Sequence, residues 1–402
     1  MNNWKSVHLR EVASVFNGKT PSMSEHRSEG HPVLKIKDVD EYGSFRGAYE
    51  SFVDPDLAAV YADRVIHDGD TLILNAAHNA SYVGSKTYRA QAQVVGALAT
   101  GEWLVIRPDR DLLDAGYVHH WVNTPRTRRE LRNVVKGIHL YPKDVSRLAV
   151  ALPPLDEQRR IAEVLDRVEA LRAKRREAIA HLDTLAHSIF LDMFGDDCTY
   201  DSVDTTVAGV ADARRGAIRT GPFGSQLLHS EFRSSGIAVL GIDNAVDNEF
   251  KWGKPRYIST AKYRALERYT VHPGDVLITI MGTCGRCAIV PDDIPPAINT
   301  KHLCCISLDR SRCLPGFLQA YFLIHPLARR YLEKRAKGAV MDGLNMGLIR
   351  DMPLSLPTIR LQQVFVDRAA AVTEHRSKLR SSLAGFDALF ASLQHRAFRG
   401  EL

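Results

Sequence analysis

The chain carries the same long helical pattern twice, and this repeat constrains its fold more than any other feature. Leu152–Ile161 (LPPLDEQRRI) opens the first pattern, and Leu356–Phe365 (LPTIRLQQVF) opens the second. A shift of 204 positions places Gln158 on Gln362. Solenoid repeats have periods of roughly 20–50 residues, so this spacing predicts two large similar halves related by a pseudo-two-fold axis. Such a protein is built to bind a ligand that also has two halves.

The segments that precede the two helical patterns also resemble each other, although more loosely. Residues 1–150 alternate short β-rich runs with polar turns, and Val65–Ile73 has a counterpart in Thr270–Ile278. The expected fold class is α+β, with two α/β domains containing mixed β-sheets, joined by two long antiparallel coiled-coil helices. The predicted divisions are an N-terminal domain at 1–150, a central helix at 151–200, a second domain at 201–355 and a C-terminal helix at 356–402.

Four short apolar runs are predicted as strands, two in each domain. Val33–Ile36 and Thr71–Leu74 are the candidates in the first domain. Val239–Ile242 and Val276–Thr279 are their counterparts in the second.

Apolar residues recur every seven positions along both helical patterns. This spacing keeps an apolar seam on one side of a helix, as in coiled coils. Arg175 falls on the first seam, where its stem can cover apolar surface while its guanidinium reaches water. The predicted seam residues are Ile161, Val168, Leu182, Ile189, Phe365, Val372, Leu379, Phe386 and Leu393.

The length of these helices has two explanations. A helix over Asp156–Met193 would be about 57 Å long, too long to bury within one compact domain. Taken alone it would indicate a dimerisation coil. The repeat favours a different arrangement, because two matching seams in one chain can pair with each other and hold two domains a fixed distance apart.

Composition limits the setting of the protein. The chain has 402 residues and a net charge of +6, which is compatible with a nucleic-acid partner without establishing one. It has no apolar run near 20 residues and no apolar stretch at the N-terminus, so neither a membrane span nor a signal peptide is expected. The six cysteines, between Cys198 and Cys313, are interpreted as reduced thiols of a cytoplasmic protein.

The sequence offers little support for catalysis. It has no Gly-x-x-x-x-Gly-Lys-Ser/Thr segment, so a P-loop motor is unsupported. Asp292 and Asp293 are a tempting carboxylate pair for a metal nuclease, but the flanking prolines indicate a solvated turn. Cys284, Cys287 and the adjacent Cys304–Cys305 are poorly arranged for a closed zinc site, and small buried thiols explain them better. We therefore expect no catalytic residue, no bound metal and no cofactor.

Several motifs together resemble one known family. The Leu-Pro-Pro-Leu-x-Glu-Gln entry to a long helix at Leu152, repeated later, resembles the specificity (S) subunit of type I restriction-modification systems. So do Gly221–Leu227 (GPFGSQL) and Gly274–Ile278 (GDVLI). The resemblance covers essentially the whole chain, in the order recognition domain, helix, recognition domain, helix.

The resemblance implies a DNA-reading subunit that is not itself an enzyme. Each domain would read one part of a split target in double-stranded DNA, and the helices would set the gap. Methyltransferase (modification) subunits would dock on the helices to modify adenine, and a motor-nuclease (restriction) subunit would cut unmodified DNA. The first domain departs from the family pattern at Asn17–Pro21 and Asn75–Ala80, which we interpret as a different specificity. Leu361 stands where the first helix has Glu157.

Candidate DNA contacts were chosen by chemistry and by closeness to these motifs. DNA recognition uses cations for phosphates, and amides, hydroxyls or arginines for base edges. Any one of these residues is more simply explained as solvated surface, whereas the set is concentrated around the recognition motifs. The candidates are Lys35, Lys37, Asn79, Ser81, Tyr82 and Lys86 in the first domain, and Arg215, Arg219, Ser225, Gln226, Arg256, Arg286, Asn299, Lys301 and His302 in the second.

Two basic helical runs, Arg126–Arg132 and Arg329–Arg335, are interpreted first as solvated faces and second as phosphate-contacting edges.

Two alternative functions are also compatible with the sequence. The chain could serve a related system with a fused methyltransferase-nuclease, or it could be a coiled-coil scaffold with two ligand-binding domains. An adjacent methyltransferase gene would favour DNA recognition over the scaffold.

Overall fold

The computed structural model describes residues 4–195, 203–336 and 344–402. Cys198 and the side chain of Arg335, both named above, lie outside the described residues. The chain forms two compact units: unit 1 comprises Met1–Arg176 and Ser381–Leu402, and unit 2 comprises Glu177–Arg380. Across the described ranges, no helix combines the length and apolarity needed to cross a membrane.

The described residues of the first half form nine strands and five α-helices. The strands are β1 (Lys5–His8), β2 (Ala13–Asn17), β3 (His31–Leu34), β4 (Phe52–Val53), β5 (Thr71–Leu74), β6 (Thr87–Arg89), β7 (Leu98–Ala99), β8 (Trp103–Pro108) and β9 (Ala149–Leu152). The helices are α1 (Pro55–Val60), α2 (Ala115–Val122), α3 (Pro125–Asn133), α4 (Pro142–Val145) and the long α5 (Leu155–Phe194).

The described residues of the second half repeat this order with one additional short strand, β14. Its strands are β10 (Thr205–Thr206), β11 (Ile218–Thr220), β12 (Ile237–Leu240), β13 (Tyr257–Ile258), β14 (Thr270–Val271), β15 (Val276–Thr279), β16 (Cys287–Ile289), β17 (Ala297–Asn299), β18 (Leu303–Ile306) and β19 (Pro353–Leu354). Its helices are α6 (Thr260–Leu266), α7 (Pro315–Ile324), α8 (Pro326–Ala336), α9 (Met346–Arg350) and the long α10 (Ile359–Ala397).

Each unit is organised around the same kind of antiparallel four-stranded sheet. The order is β2-β8-β5-β6 in unit 1 and β11-β18-β15-β16 in unit 2. A second sheet in each unit contains one parallel pair, β3 with β7 and β12 with β17. The central strands β5 and β15 are buried on both faces and rich in branched apolar residues. The predicted α+β class with mixed sheets and long helices is therefore confirmed.

One glutamine fastens the start of each long helix to its own domain. The Gln158 amide donates to the carbonyls of Leu112 (3.0 Å) and Pro153 (2.9 Å), and its oxygen accepts from the Asp114 amide (2.8 Å). Gln362 repeats all three contacts in unit 2. Its amide donates to the carbonyls of Arg312 (3.0 Å) and Pro357 (2.8 Å), and its oxygen accepts from the Leu314 amide (2.9 Å). The internal repeat is thus present at the level of single hydrogen bonds.

The long helices run antiparallel within each unit. In unit 1, Arg160 near the start of α5 donates to the Leu402 carbonyl at 2.5 Å, beyond the end of α10. In unit 2, Phe190 near the end of α5 packs against Phe365 near the start of α10, with ring centroids 5.2 Å apart.

The seam predicted from the seven-residue spacing coincides with the less exposed side of both helices. Ile161, Val168, Phe365 and Val372 are buried. Arg175, which interrupts the first seam, places its guanidinium 6.0 Å from the ring centre of Phe386. The remaining seam residues are half-buried, namely Leu182, Ile189, Leu379, Phe386 and Leu393.

Candidate nucleic-acid interface

The loop between β5 and β6 forms the centre of the candidate surface in unit 1. It begins at Asn75, which is buried, and whose side-chain amide donates to Asn17 Oδ1 (3.1 Å) and the Gly101 carbonyl (2.9 Å). A polar residue at the end of a buried strand needs such partners, because an unpaired buried amide is costly. Asn75 therefore fixes where the loop leaves the sheet.

Three predicted contact residues lie together on the exposed part of this loop. Asn79 Oδ1 accepts hydrogen bonds from the Ser81 amide and from Ser81 Oγ, each at 3.0 Å. The side chain of Tyr82 follows directly and is 63% exposed. An Asx turn of this kind holds the loop in one conformation while its outward groups stay available to a ligand.

The predicted lysines of unit 1 have different environments. Lys86 donates to the carbonyls of Ile36 (3.0 Å) and Val39 (2.6 Å), and burial lowers its pKa. This ammonium ties the turn after β3 to the β5–β6 loop. Lys37 is exposed and forms an ion pair with Glu50, and Lys35 is half-buried in the same turn.

In unit 2 the corresponding loop joins β15 to β16, and cationic residues gather around it. Thr279 Oγ1 accepts from the Arg286 amide at 2.9 Å and closes the loop, while the Arg286 side chain is exposed. The Ile280 amide donates to the His302 carbonyl at 2.9 Å. Burial lowers the pKa of His302, as do the positive charges of Lys301 and Arg256. Four of the predicted residues, Arg256, Arg286, Lys301 and His302, therefore share one neighbourhood.

Other predicted residues of unit 2 lie on the segment before β12. Arg215, Ser225 and Gln226 are exposed, and Gln226 Oε1 accepts from the hydroxyl of Tyr269 at 2.9 Å. Arg256 forms an ion pair with Asp243.

A glycine follows β2 in unit 1 and β11 in unit 2, where the chain turns away from the sheet. A Cβ on Gly221 would lie 2.0 Å from the Asn299 carbonyl oxygen, and a Cβ on Gly18 would lie 2.3 Å from that of Ala99. Neither position can hold a side chain, because real Cβ atoms do not approach backbone so closely. The Asn17–Pro21 segment lacks the Gly-Pro-Phe-Gly-Ser motif. It nevertheless keeps a glycine, Gly18, where the backbone passes too close to the Ala99 carbonyl for any side chain.

Two predicted contact residues are buried, and we remove them from the candidate DNA surface. Asn299 is fully buried, and its amide donates to the Leu303 carbonyl at 3.0 Å. Arg219 is 8% exposed, and its guanidinium donates to Asp275 Oδ2 (2.9 Å) and to Ser307 Oγ (3.1 Å). Both side chains are buried and donate hydrogen bonds to protein groups, so neither is exposed to a DNA ligand.

Unit 1 contains the counterpart of this buried ion pair. Arg107 donates from Nε and Nη2 to the two oxygens of buried Asp70, at 3.0 and 2.8 Å, and also to the Val65 carbonyl. In unit 2, Arg219 donates to Asp275 and to the Thr270 carbonyl. Thr270 corresponds to Val65 in the matched segments Val65–Ile73 and Thr270–Ile278. The guanidinium groups thus perform the same task, although Arg107 comes from β8 and Arg219 from β11.

Four of the cysteines behave as core residues, whereas Cys284 is half-buried. Cys287, Cys304, Cys305 and Cys313 are buried among apolar side chains of unit 2. Burial raises the pKa of Cys304 to about 12 and that of Cys313 to about 12, so these thiols stay protonated.

The two units share one architecture, carry different polar loops at matching positions, and each contain part of α5 and part of α10. Residues 1–181 match the family model of the type I restriction modification DNA specificity domain. The EcoBI specificity subunit of Escherichia coli is 24% identical over 100% of this chain and 86% of its own length. The MjaVIII specificity subunit of Methanocaldococcus jannaschii is 19% identical over 92% of this chain and 86% of its own.

Solved structures share the fold. The S subunit of a type I restriction-modification system from M. genitalium superposes with a TM-score of 0.59 at 12% identity, covering 99% of this chain and 97% of that one. A chain from a study of complex assembly in a type I R-M system gives 0.56 at 17% identity, covering 99% and 98%. The chain thus carries a type I restriction modification DNA specificity domain over residues 1–181, and it is similar along its whole length to specificity subunits of type I restriction enzymes.

Proposed function

We propose that this chain recognises a bipartite target in duplex DNA, one half-site with each unit, and directs adenine methylation and restriction by partner subunits. The observation that carries the proposal is the difference between two loops on one scaffold. The β5–β6 loop presents Asn79, Ser81 and Tyr82, whereas the β15–β16 loop presents Arg286.

These side chains favour different base edges. An asparagine amide can pair with the adenine edge in the major groove, and an arginine can pair with guanine. Because the scaffolds match and the loops do not, the two units suit two unlike half-sites. The exposed cations Lys37, Arg215 and Arg286 are proposed to contact phosphates or bases, and such contacts make binding weaken steeply with salt.

Helices α5 and α10 are proposed to fix the distance between the two units and to bind the partner subunits. The nine seam residues named above support helix pairing. Leu185 and Leu389, 204 positions apart, remain 41% and 44% exposed on their helices. An exposed leucine repeated at matching positions supports a docking contact with a partner protein, which we propose to be the methyltransferase subunit. The motor-nuclease subunit would join the resulting complex in the cytoplasm.

A domain exchange tests the proposal. Residues 201–355 are replaced by the corresponding segment of a relative with another specificity, and the methylated motif is mapped in cells that express the methyltransferase partner. One half of the motif should change, while the other half and the spacer stay as in the wild type. A motif altered in both halves would show that the units are not independent readers.

An insertion into α5 provides the complementary control. Four residues, about one helical turn, are inserted near the exposed Lys174. Both half-sites should persist while the spacer between them changes. If the wild-type complex methylates no bipartite motif at all, the scaffold alternative would replace DNA recognition.

A further inference from the structure

We propose that the hairpin Lys136–Tyr141, with the end of α3, is a second DNA-reading element of unit 1. The inference rests on the proposed function and adds specificity-determining residues outside the predicted set. The hairpin is closed by reciprocal backbone hydrogen bonds between Lys136 and His139, at 2.9 and 3.1 Å. Gly137, at φ 61°, and Ile138 form its two-residue tip.

The hairpin is joined directly to the β5–β6 loop. The Leu140 amide donates to the Asn75 carbonyl at 2.8 Å, and the Ala77 amide donates to the Ile138 carbonyl at 3.4 Å. Arg128 of α3 also donates to the Gly84 carbonyl at the far end of the loop. A ligand that reaches the β5–β6 loop therefore meets a surface to which the hairpin contributes.

The outward side chains of the hairpin suit a base edge. Ile138 is 42% exposed at the tip, although a branched apolar residue is ordinarily buried. His139 and Tyr141 are exposed beside it, with ring centroids 6.2 Å apart. An apolar group at the tip can contact a thymine methyl, and a neighbouring imidazole can donate or accept a hydrogen bond.

The charge around the hairpin favours a polyanion over a protein surface. Glu130 and Asp144, the acidic residues of this segment, form ion pairs with Arg126 and Lys136 respectively. Their charges are thereby balanced, while Arg129 and Arg132 of α3 stay exposed. The remaining charge is positive and lies beside the proposed base-contacting tip, as phosphate contacts require.

The test uses the full chain in complex with its methyltransferase partner. Ile138→Ser and His139→Ala are made singly, and the methylated motif is mapped by single-molecule sequencing. In each variant, the preference for the wild-type base over the other bases should fall about tenfold at one or two base pairs of one half-site. The other half-site and the spacer should not change. Arg132→Ala should instead weaken binding to all sequences alike and lower the salt dependence by about one phosphate contact.

Val60→Ser is the matched control, because Val60 is an exposed apolar residue of the same unit, 72% exposed on α1. This variant should keep the wild-type motif. Thermal unfolding of all variants should match the wild type, since every substituted side chain is exposed. If the wild type methylates a bipartite motif and both hairpin variants keep it unchanged, this inference is overturned and the proposed function stands. Absence of a bipartite motif in the wild type would overturn the proposed function itself.

Discussion

Arg172 of α5 donates from Nε to Asp387 of α10 at 2.7 Å, and the repeat supplies a matching pair in the other unit. There Arg376 of α10 donates to Asp183 of α5 at 3.2 Å. Both arginines and both aspartates are 204 positions apart. Each helix thus gives one arginine and one aspartate to the pairing, which fixes the antiparallel register by charge as well as by apolar contact.

These ion pairs should have a measurable but small effect on stability. Both are partly exposed, so a double-mutant cycle between Arg172→Ala and Asp387→Ala should give a coupling free energy of about 0.5–1 kcal/mol. The cycle between Arg376→Ala and Asp183→Ala should give a similar value. Thermal unfolding at low and high salt measures both, and no coupling in either cycle would contradict the proposed role in register.

The glutamines at the helix starts should matter far more. Gln158→Leu keeps the size of the side chain but leaves the Asp114 amide and two carbonyls without their partner. Buried polar groups without partners are costly, so we expect a loss of about 3 kcal/mol in the free energy of unfolding. Gln362→Leu should behave alike. Gln363→Leu, at the exposed neighbouring position, should stay within about 0.5 kcal/mol. Equal effects at Gln362 and Gln363 would show that the buried contacts do not hold the helix.

Arg219 and Arg215 separate folding from binding. Arg219→Ala removes the cation nearest to buried Asp275. The next guanidinium, that of Arg214, lies farther away, with Nη2 3.7 Å from Asp275 Oδ1. We therefore expect the variant to lose about 3 kcal/mol in the free energy of unfolding. Arg215→Ala should leave thermal unfolding unchanged but lower the salt dependence of DNA binding. The two variants are compared by calorimetry and by binding at several salt concentrations. A stable Arg219→Ala protein with weakened DNA binding would return Arg219 to the DNA surface.

Asp166 predicts an acid-sensitive contact between α5 and the domain of unit 1. It accepts hydrogen bonds from His120 Nε2 (2.7 Å) and Arg89 Nη1 (3.0 Å). Burial acts to raise the pKa of this carboxyl, but these two partners together lower it. Because the folded pKa lies below the unfolded value of about 3.9, the stabilisation is present above that pH and is lost as pH falls through the folded pKa.

We therefore expect Asp166→Asn to lower the Tm at neutral pH, and its difference from the wild type to shrink below about pH 4. Asp156→Asn is the control, because that carboxylate is 96% exposed on the first turn of the same helix. A Tm difference that stays constant from pH 7 to pH 3 would exclude titration of Asp166 as its source.

Local patterns predicted β5, β15 and the long helices correctly, whereas the strands predicted at Val33–Ile36 and Val239–Ile242 each lie two residues earlier, at β3 and β12. The β5 and β15 predictions match the observed Thr71–Leu74 and Val276–Thr279 strands. The predicted Val33–Ile36 strand ends two residues early, at Leu34, because the Lys35 amide donates to Asp38 Oδ2 at 2.7 Å and turns the chain. Helix α5 spans Leu155–Phe194, close to the expected range, because a seven-residue pattern is continuous along the sequence.

The roles of single polar residues were harder to predict, because they depend on distant partners. The charge of Arg219 and its closeness to a motif favour a DNA contact. Its partners Asp275 and Ser307 lie 56 and 88 positions away, and no local pattern connects them. The anchoring role of Asn75 has no local sequence signal for the same reason, since its partners Asn17 and Gly101 come from separate turns.

The buried ion pairs of the two domains limit how this scaffold can be recombined. The arginine arrives on β11, at the edge of the sheet, in one domain and on β8, in its interior, in the other. The β2 position that corresponds to Arg219 is occupied by Phe16, and the position that corresponds to Arg107 is occupied by Ser307, directly after β18. A genetic crossover between the two domains, placed between these strands, would produce two hybrids. One would carry both Arg219 and Arg107 at a single aspartate, and the other would carry Phe16 and Ser307 and no arginine there. New specificities in this architecture should therefore arise by exchange of whole domains. A recombination point within a domain would leave the buried aspartate with either two arginines or none.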